Sequence, residues 1–157
     1  MSGEVVRWHR TVVDTLMQEH TAVPLILSEL ASKGVSGREQ EYNPLKENLM
    51  PHVIGEEQVL YPRLKEVTET RDIAFEAIEE HSAVKTLLSQ LDGVSTSDEE
   101  VWVAKLKVIQ ENLQHHIREE EGIIFVEMQR RMSNDELSSL NSQYEEAKRS
   151  VMAVAAR

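Results

Sequence analysis

Two stretches of the chain each place a histidine four residues ahead of a glutamate, among apolar residues. The first, Leu49-Met-Pro-His-Val-Ile-Gly-Glu-Glu-Gln-Val-Leu-Tyr61, carries His52 and Glu56; the second, Leu113-Gln-His-His-Ile-Arg-Glu-Glu-Glu-Gly-Ile-Ile-Phe125, carries His116 and Glu120. On a helix, residues four apart share a face, one turn above the other. Each stretch therefore aims an imidazole and a carboxylate toward the side that the apolar residues bury. Such a pair is costly to bury unless something satisfies both groups. A metal ion is the simplest partner.

The two stretches align residue for residue: Leu49 with Leu113, Val53 with Ile117, Glu57 with Glu121, Tyr61 with Phe125. A second pair of segments repeats as well. Glu19-His-Thr-Ala-Val-Pro-Leu-Ile-Leu-Ser-Glu-Leu30 matches Glu80-His-Ser-Ala-Val-Lys-Thr-Leu-Leu-Ser-Gln-Leu91, which sets His20 against His81. A helix pair repeated in this way closes naturally as a four-helix bundle. Each helix then brings one histidine to the interior, and the second and fourth each add a carboxylate. The metal-site candidates are His20, His52, Glu56, His81, His116 and Glu120.

The elements that must position them read as five helices. The first spans about residues 4–33, with His9, Val13, Leu16, His20, Val23, Leu27 and Leu30 on one stripe. Pro24 should kink it and Gly34 cap its end. The second starts either at the capping-box pattern Ser36-Gly-Arg-Glu39 or at Asn43-Pro44 and runs to about Glu66. Pro51 and Gly55 predict an irregularity beside His52, and Pro62 a further bend. The third covers about residues 72–91, with Gly93 as its stop. Ser97-Asp-Glu-Glu100 opens the fourth, to about Met132, and Ser133-Asn-Asp-Glu136 opens the fifth, about 134–154. The fifth either packs on the bundle or serves in dimerisation. The fold class expected is all-α: one domain over residues 1–157, an antiparallel up-down four-helix bundle (about 4–132) with an additional C-terminal helix.

Other polar residues read differently. His9 lies about 16 Å along the helix from His20, too far to join one cluster. His115 is turned toward Asn112, Glu119 and Gly122 and reads as surface. Glu57 and Glu121 sit one residue off the ideal face and read as supporting or solvated groups. Tyr61 and Phe125 wall the site, Tyr61 with a hydroxyl to offer. Met17, Met50 and Met128 read as core filler.

Four imidazoles and two carboxylates exceed what one tetrahedral zinc uses. They suit two ions: His20 with His52 at one, His81 with His116 at the other, Glu56 and Glu120 bridging. So nitrogen-rich a set favours iron over magnesium or calcium, with zinc and manganese as alternatives. No histidine here follows a glutamate by three residues, the spacing of ferritin-type di-iron bundles.

Composition bounds the rest. The chain has 157 residues, enough for one domain with a real core. A formal net charge of −11 sets it against nucleic acid and anionic membrane surfaces. With no cysteine, disulfide, thiol and iron–sulfur chemistry are excluded. No apolar run is long enough to span a membrane and the N-terminal segment lacks a signal-peptide pattern, so the cytoplasm is the expected location.

The order His20, His52-x-x-x-Glu56-Glu57, His81, His116-x-x-x-Glu120-Glu121, with Leu60-Tyr61-Pro62 after the first glutamate pair, resembles the hemerythrin-like, or HHE cation-binding, family over about residues 10–130. The resemblance implies a non-heme di-iron centre bridged by oxygen (oxo or hydroxo) and two carboxylates. His20, His52, His81 and His116 would be terminal ligands, and Glu56 and Glu120 the bridges. Oxygen-carrying members supply two histidines one turn apart from the third helix. Here Ala77 and Ile78 stand a turn before His81, and Val84 and Lys85 a turn after. One ligand is thus absent, to be replaced by water or a carboxylate, and the site should be more open and more reactive.

The function expected is binding or sensing of a small oxidant (oxygen, peroxide or nitric oxide) by a monomer or homodimer. An enzyme decomposing peroxide or reducing nitric oxide, an iron storage or delivery module, and a metal-free helical interaction protein are the alternatives.

Overall fold

A computed structural model of the chain describes residues 9–155. Helix α1 (Val12–Ser32) is followed by α2 (Val35–Gly55), a π-helical turn (Glu56–Leu60) and α3 (Tyr61–Lys65). Then come α4 (Thr68–Asp92), α5 (Glu99–Glu119), a second π turn (Glu120–Ile124), α6 (Phe125–Arg131) and α7 (Asn134–Ala155). The α2–α3 and α5–α6 runs are each one continuous helix with a π turn inside it. The protein is an all-α bundle of four long helices with a fifth helix packed on it. Among the described residues no helix is long and apolar enough to cross a membrane.

The core lies in two apolar halves. One gathers Val12, Leu16, Leu60, Tyr61, Leu64, Ala74, Ala77, Ile124, Phe125 and Met128, with Leu137, Leu140 and Tyr144 of α7. The other gathers Val23, Leu27, Leu30, Leu45, Leu49, Val53, Val84, Leu88, Leu91, Trp102, Leu106, Ile109 and Leu113. His20 falls between Leu16 and Val23 on α1, His81 between Ala77 and Val84 on α4. The pairs His52/Glu56 and His116/Glu120 fall between Leu49 and Leu60 and between Leu113 and Ile124. The six polar residues thus form a layer sandwiched by apolar packing, and all six are buried.

Helix boundaries differ from the sequence expectation in ways that local hydrogen bonding explains. α1 begins at Val12 rather than near residue 4, whose neighbourhood lies outside the described residues. Thr11 caps it: its Oγ1 accepts from Asp14 N–H (3.3 Å), while Asp14 Oδ2 accepts from Thr11 N–H (3.0 Å). His9 precedes the helix and is exposed. α1 continues across Pro24, and α2 starts at Val35, straight after Gly34. Ser36 is therefore inside α2 and caps nothing. α4 starts at Thr68, four residues before the expected position. Asp98, not Ser97, is the N-cap of α5, without a side-chain cap bond. Ser133 does cap α7, accepting from Glu136 N–H at 3.1 Å.

The sequence left the role of the fifth helix open, and the structure assigns it. Leu137, Leu140, Tyr144 and Ala147, at helical spacing, are buried against the bundle. α7 lies over α2 and the first π turn. The approach is close enough that a Cβ on Gly55 would stand 2.6 Å from Tyr144 Cε2 and 2.9 Å from Cδ2. Tyr144 is fully buried and cannot swing away. Gly55→Ala is therefore expected to cost about 1–3 kcal/mol, the usual penalty for overpacking. Urea titration of the variant measures it, and an unchanged midpoint would mean that α7 is free to lift.

Candidate metal centre

Each helix delivers its histidine with the Nε2 edge toward the buried layer. His20 and His52 lie side by side, ring centroids 5.2 Å apart, and His81 and His116 likewise at 4.6 Å. Glu56 Oε1 is 2.6 Å from His52 Nε2 and 3.7 Å from His81 Nε2, so this carboxylate faces both histidine pairs. Glu120 Oε1 is in close contact with His116 Nε2. The donor atoms of Glu56, His81, His116 and Glu120 all fall within 4.8 Å of one another. His20 and His52 stand next to this group rather than inside that limit.

The arrangement leaves polar atoms stranded. His20 Nε2, Glu56 Oε1 and Glu120 Oε2 are buried and make no hydrogen bond. Glu56 Oε1 approaches His52 Nε2 off the hydrogen-bonding direction, so proximity does not satisfy it. Buried polar groups in folded proteins are nearly always paired, and an exception calls for a missing partner. Imidazole nitrogens and carboxylate oxygens converging on one buried volume are the donor set of a transition-metal site. These residues fit metal ions, and the cluster is a metal-binding site.

The outer edge of each ring is held by a carboxylate. His20 Nδ1–H donates to Glu121 (3.3 Å), His52 to Glu19 (3.4 Å), His81 to Glu57 (3.3 Å) and His116 to Glu80 (3.1 Å). Such contacts fix the tautomer that leaves Nε2 free and make the ring a better donor. The pattern obeys the sequence repeat, with Glu57 matching Glu121 and Glu19 matching Glu80. Glu57 and Glu121 are thus orienting groups, each reaching a histidine on another helix. Glu19 and Glu80 were not singled out from sequence, although each directly precedes a repeat histidine.

Two tyrosines complete the surroundings. Tyr144 donates from its hydroxyl to Glu19 Oε1 (2.7 Å) and touches His52 Nδ1 (3.2 Å), while Lys148 Nζ donates to Glu19 Oε2 (3.2 Å). α7 thereby buttresses one ligand histidine. Tyr61 enters the layer itself. Its hydroxyl lies 3.1 Å from Glu120 Oε1, 3.3 Å from Glu56 Oε2 and 3.2 Å from Nε2 of both His81 and His116. At the matching position Phe125 stacks on His20 with no polar group, centroids 5.7 Å apart. Tyr61→Phe is expected to lower the stability of the metal-free protein by about 1–2 kcal/mol, the value of a buried hydroxyl that bonds to a carboxylate. Thermal melts after chelation test this, and no change would mean that the hydroxyl is not holding the cluster.

Electrostatics divide the six residues. Burial keeps His20 and His81 below the usual histidine range, hence neutral. Burial opposes charge on His52 too, but Glu56 and Glu19 outweigh it and carry His52 up to about 10. His116 is likewise held well above its usual value, against burial, by Glu120. Burial and the neighbouring Glu120 charge push Glu56 up to about 8. Glu120, despite its burial, is held well below the carboxylate range by His116.

A DNA nickase from Nostoc sp. (strain PCC 7120 / SAG 25.82 / UTEX 2576) is similar to this chain, 26% identical over 138 residues. The alignment covers 87% of this chain and 39% of the nickase, so the chain spans about two fifths of the length of that relative. No solved structure matches. The model of the hemerythrin HHE cation binding domain matches residues 11–127, a range that takes in the first three helices of the bundle, most of the fourth and all six clustered side chains, and the chain belongs to that family.

Proposed function

We propose that the protein holds two iron ions and binds or senses a small oxidant such as oxygen, peroxide or nitric oxide. His20 and His52 would hold one ion and His81 and His116 the other, with Glu56 and Glu120 shared. The observation that carries this reading is the set of stranded donors: His20 Nε2, Glu56 Oε1 and Glu120 Oε2, one near each histidine pair and one between them. Iron bound by such donors supplies reversible redox chemistry and coordination positions for small ligands.

The chain's own residues shape what could reach it. A cavity of about 10 Å³, room for roughly one water-sized molecule, is walled by all four histidines and by Val23, Leu49, Val53, Leu113 and Ile117. Its scale matches the small ligands proposed here rather than an organic substrate. Tyr61 offers a hydroxyl beside His81 and His116, 3.2 Å from Nε2 of each. Burial holds the Tyr61 phenol well above its usual value, so it remains a proton donor facing Glu56 and Glu120. The donor-rich side with Tyr61 and the bare side with Phe125 make the two halves unequal.

Nicking of DNA is not carried over from the relative, because a net charge of −11 repels a phosphate backbone. The deciding experiment is metal content and the visible spectrum of protein purified aerobically from iron-supplemented cells. About two irons per chain with charge-transfer bands of a bridged ferric pair, altered by one of the three oxidants, supports the proposal. Protein free of iron, and unchanged in melting temperature when iron is added, overturns it.

A further inference from the structure

The sequence repeat gives the centre two poles related by an approximate two-fold axis, and α7 covers only one of them. At the covered pole Glu19 supports His52, and Tyr144 and Lys148 satisfy Glu19, Lys148 Nζ at 3.2 Å. At the other pole Glu80 supports His116 through Oε1 (3.1 Å), but no lysine or arginine lies within 4 Å of Glu80 or Glu119 among the described residues. At the first pole Gly55 lies against Tyr144 and Lys148, with Pro51 one turn before it. The matching residues at the second are His115 and Glu119.

Those residues form a second set of donors. His115 Nε2 lies 3.3 Å from Glu80 Oε2 and 3.3 Å from Glu119 Oε1, and the donor atoms of the three residues fall within 4.8 Å of one another. Glu119 Oε2 is buried and without a hydrogen-bond partner. Lys148 supplies the balancing cation at one pole, and among the described residues no lysine or arginine supplies it at the other. One imidazole and two carboxylates on adjacent turns of α4 and α5, with His115 half exposed, make a site that solvent ions reach directly.

We propose that Glu80, His115 and Glu119 bind a divalent transition-metal ion at the surface, and that this is the waiting position for ions on their way to the buried histidines. Glu80 joins the two places, since one oxygen faces His115 and the other holds His116. An ion at the surface site is one carboxylate from the centre. Binding there does not depend on what the buried cluster holds, whereas the waiting role rests on the function proposed above.

Cobalt(II) serves as the probe, with equilibrium dialysis of the full chain and its visible absorption as readouts. His115→Ala is expected to bind one cobalt fewer than the parent, and Glu119→Gln to weaken the same site roughly tenfold or more. His115 is exposed and Glu119 only partly buried, so melting temperatures should change little. Equal stoichiometry in parent and His115→Ala overturns the surface site. His52→Ala separates the two proposals: if it binds as much metal as the parent while His115→Ala loses one ion, the buried centre fails and the surface site stands. Iron(II) uptake followed by stopped flow should be several-fold slower in His115→Ala, and an equal rate overturns the waiting role.

Discussion

Changing Glu56 and Glu120 together to glutamine is expected to leave the chain with less than about a tenth of its metal, while the metal-free variant melts no lower than the metal-free parent. The two carboxylates are the only anionic donors among the six clustered side chains, and both are fully buried. Without them four neutral imidazoles would have to hold divalent ions in an apolar sandwich, with no charge to offset the loss of hydration. Stability runs the other way. A buried carboxylate facing a second one is sustained only by nearby cations, and replacing buried ion pairs with neutral groups of similar shape is often neutral or stabilising. His116 and His52 would then lose the nearest of the charges that hold them protonated, with Glu80 and Glu19 remaining. Elemental analysis after dialysis and thermal melts after chelation read both effects. A double variant that keeps its full metal content would place the ions elsewhere, and one that collapses on loss of the carboxylates would make the cluster a structural network.

Much of this site was legible because the chain states it twice. One histidine per helix, at matched positions on apolar stripes, picked out six residues that the fold gathers into one layer. Capping signals were less dependable. Ser36 and Ser97 head plausible boxes, yet the helices start at Val35 and Glu99: the extended backbone of Gly34 already lets the chain turn into α2, and Asp98 rather than Ser97 is the last non-helical residue before α5. The π turns were legible only as trouble near His52, attributed to Pro51 and Gly55. The second π turn, at Glu120–Ile124, has no proline, so the two turns share a position in the repeat rather than a breaker. An inserted residue of this kind widens the turn after Glu56 and after Glu120. It swings Glu57 and Glu121 toward histidines on other helices, beyond what a period of 3.6 residues can foresee. Glu19 and Glu80 escaped notice for a related reason. A residue next to a core histidine points well off the core stripe, and only the neighbouring helix shows that it meets an imidazole there. The partner of α7 was likewise invisible: Leu137, Leu140 and Tyr144 mark an apolar face, but nothing in the sequence says that Glu19 and His52 lie beneath it.

Filling the centre with zinc at pH 7 is expected to release about three protons per chain, and affinity below pH 8 to rise by about a thousandfold per pH unit. The count follows from the charge states in the metal-free cluster. His52, carried up to about 10, and His116, held well above its usual value, are protonated at pH 7, as is Glu56, pushed up to about 8. His20, His81 and Glu120 have given up theirs. Every donor must be unprotonated to bind, so each of the three protons must leave. Four histidines and two glutamates with ordinary values would release only about one proton at pH 7. Stability of the metal-free protein moves in the opposite sense over the same range. The Glu56 carboxyl and the His52 imidazole both have folded values above their unfolded ones of 4.5 and 6.5. Their contribution is complete below those unfolded values and is lost as pH rises, through about 8 for Glu56 and about 10 for His52. Glu120, shifted downward, contributes above its ordinary 4.5 and loses its contribution as pH falls further. Metal-free protein should therefore melt lower at pH 9 than at pH 6.5, whereas metal-loaded protein should not, because the ions replace the protons. Zinc titration calorimetry in two buffers of different ionisation enthalpy counts the protons directly. A release near one would mean that the buried histidines and Glu56 titrate as if exposed, and that the layer between the two apolar halves is wetter than its packing implies.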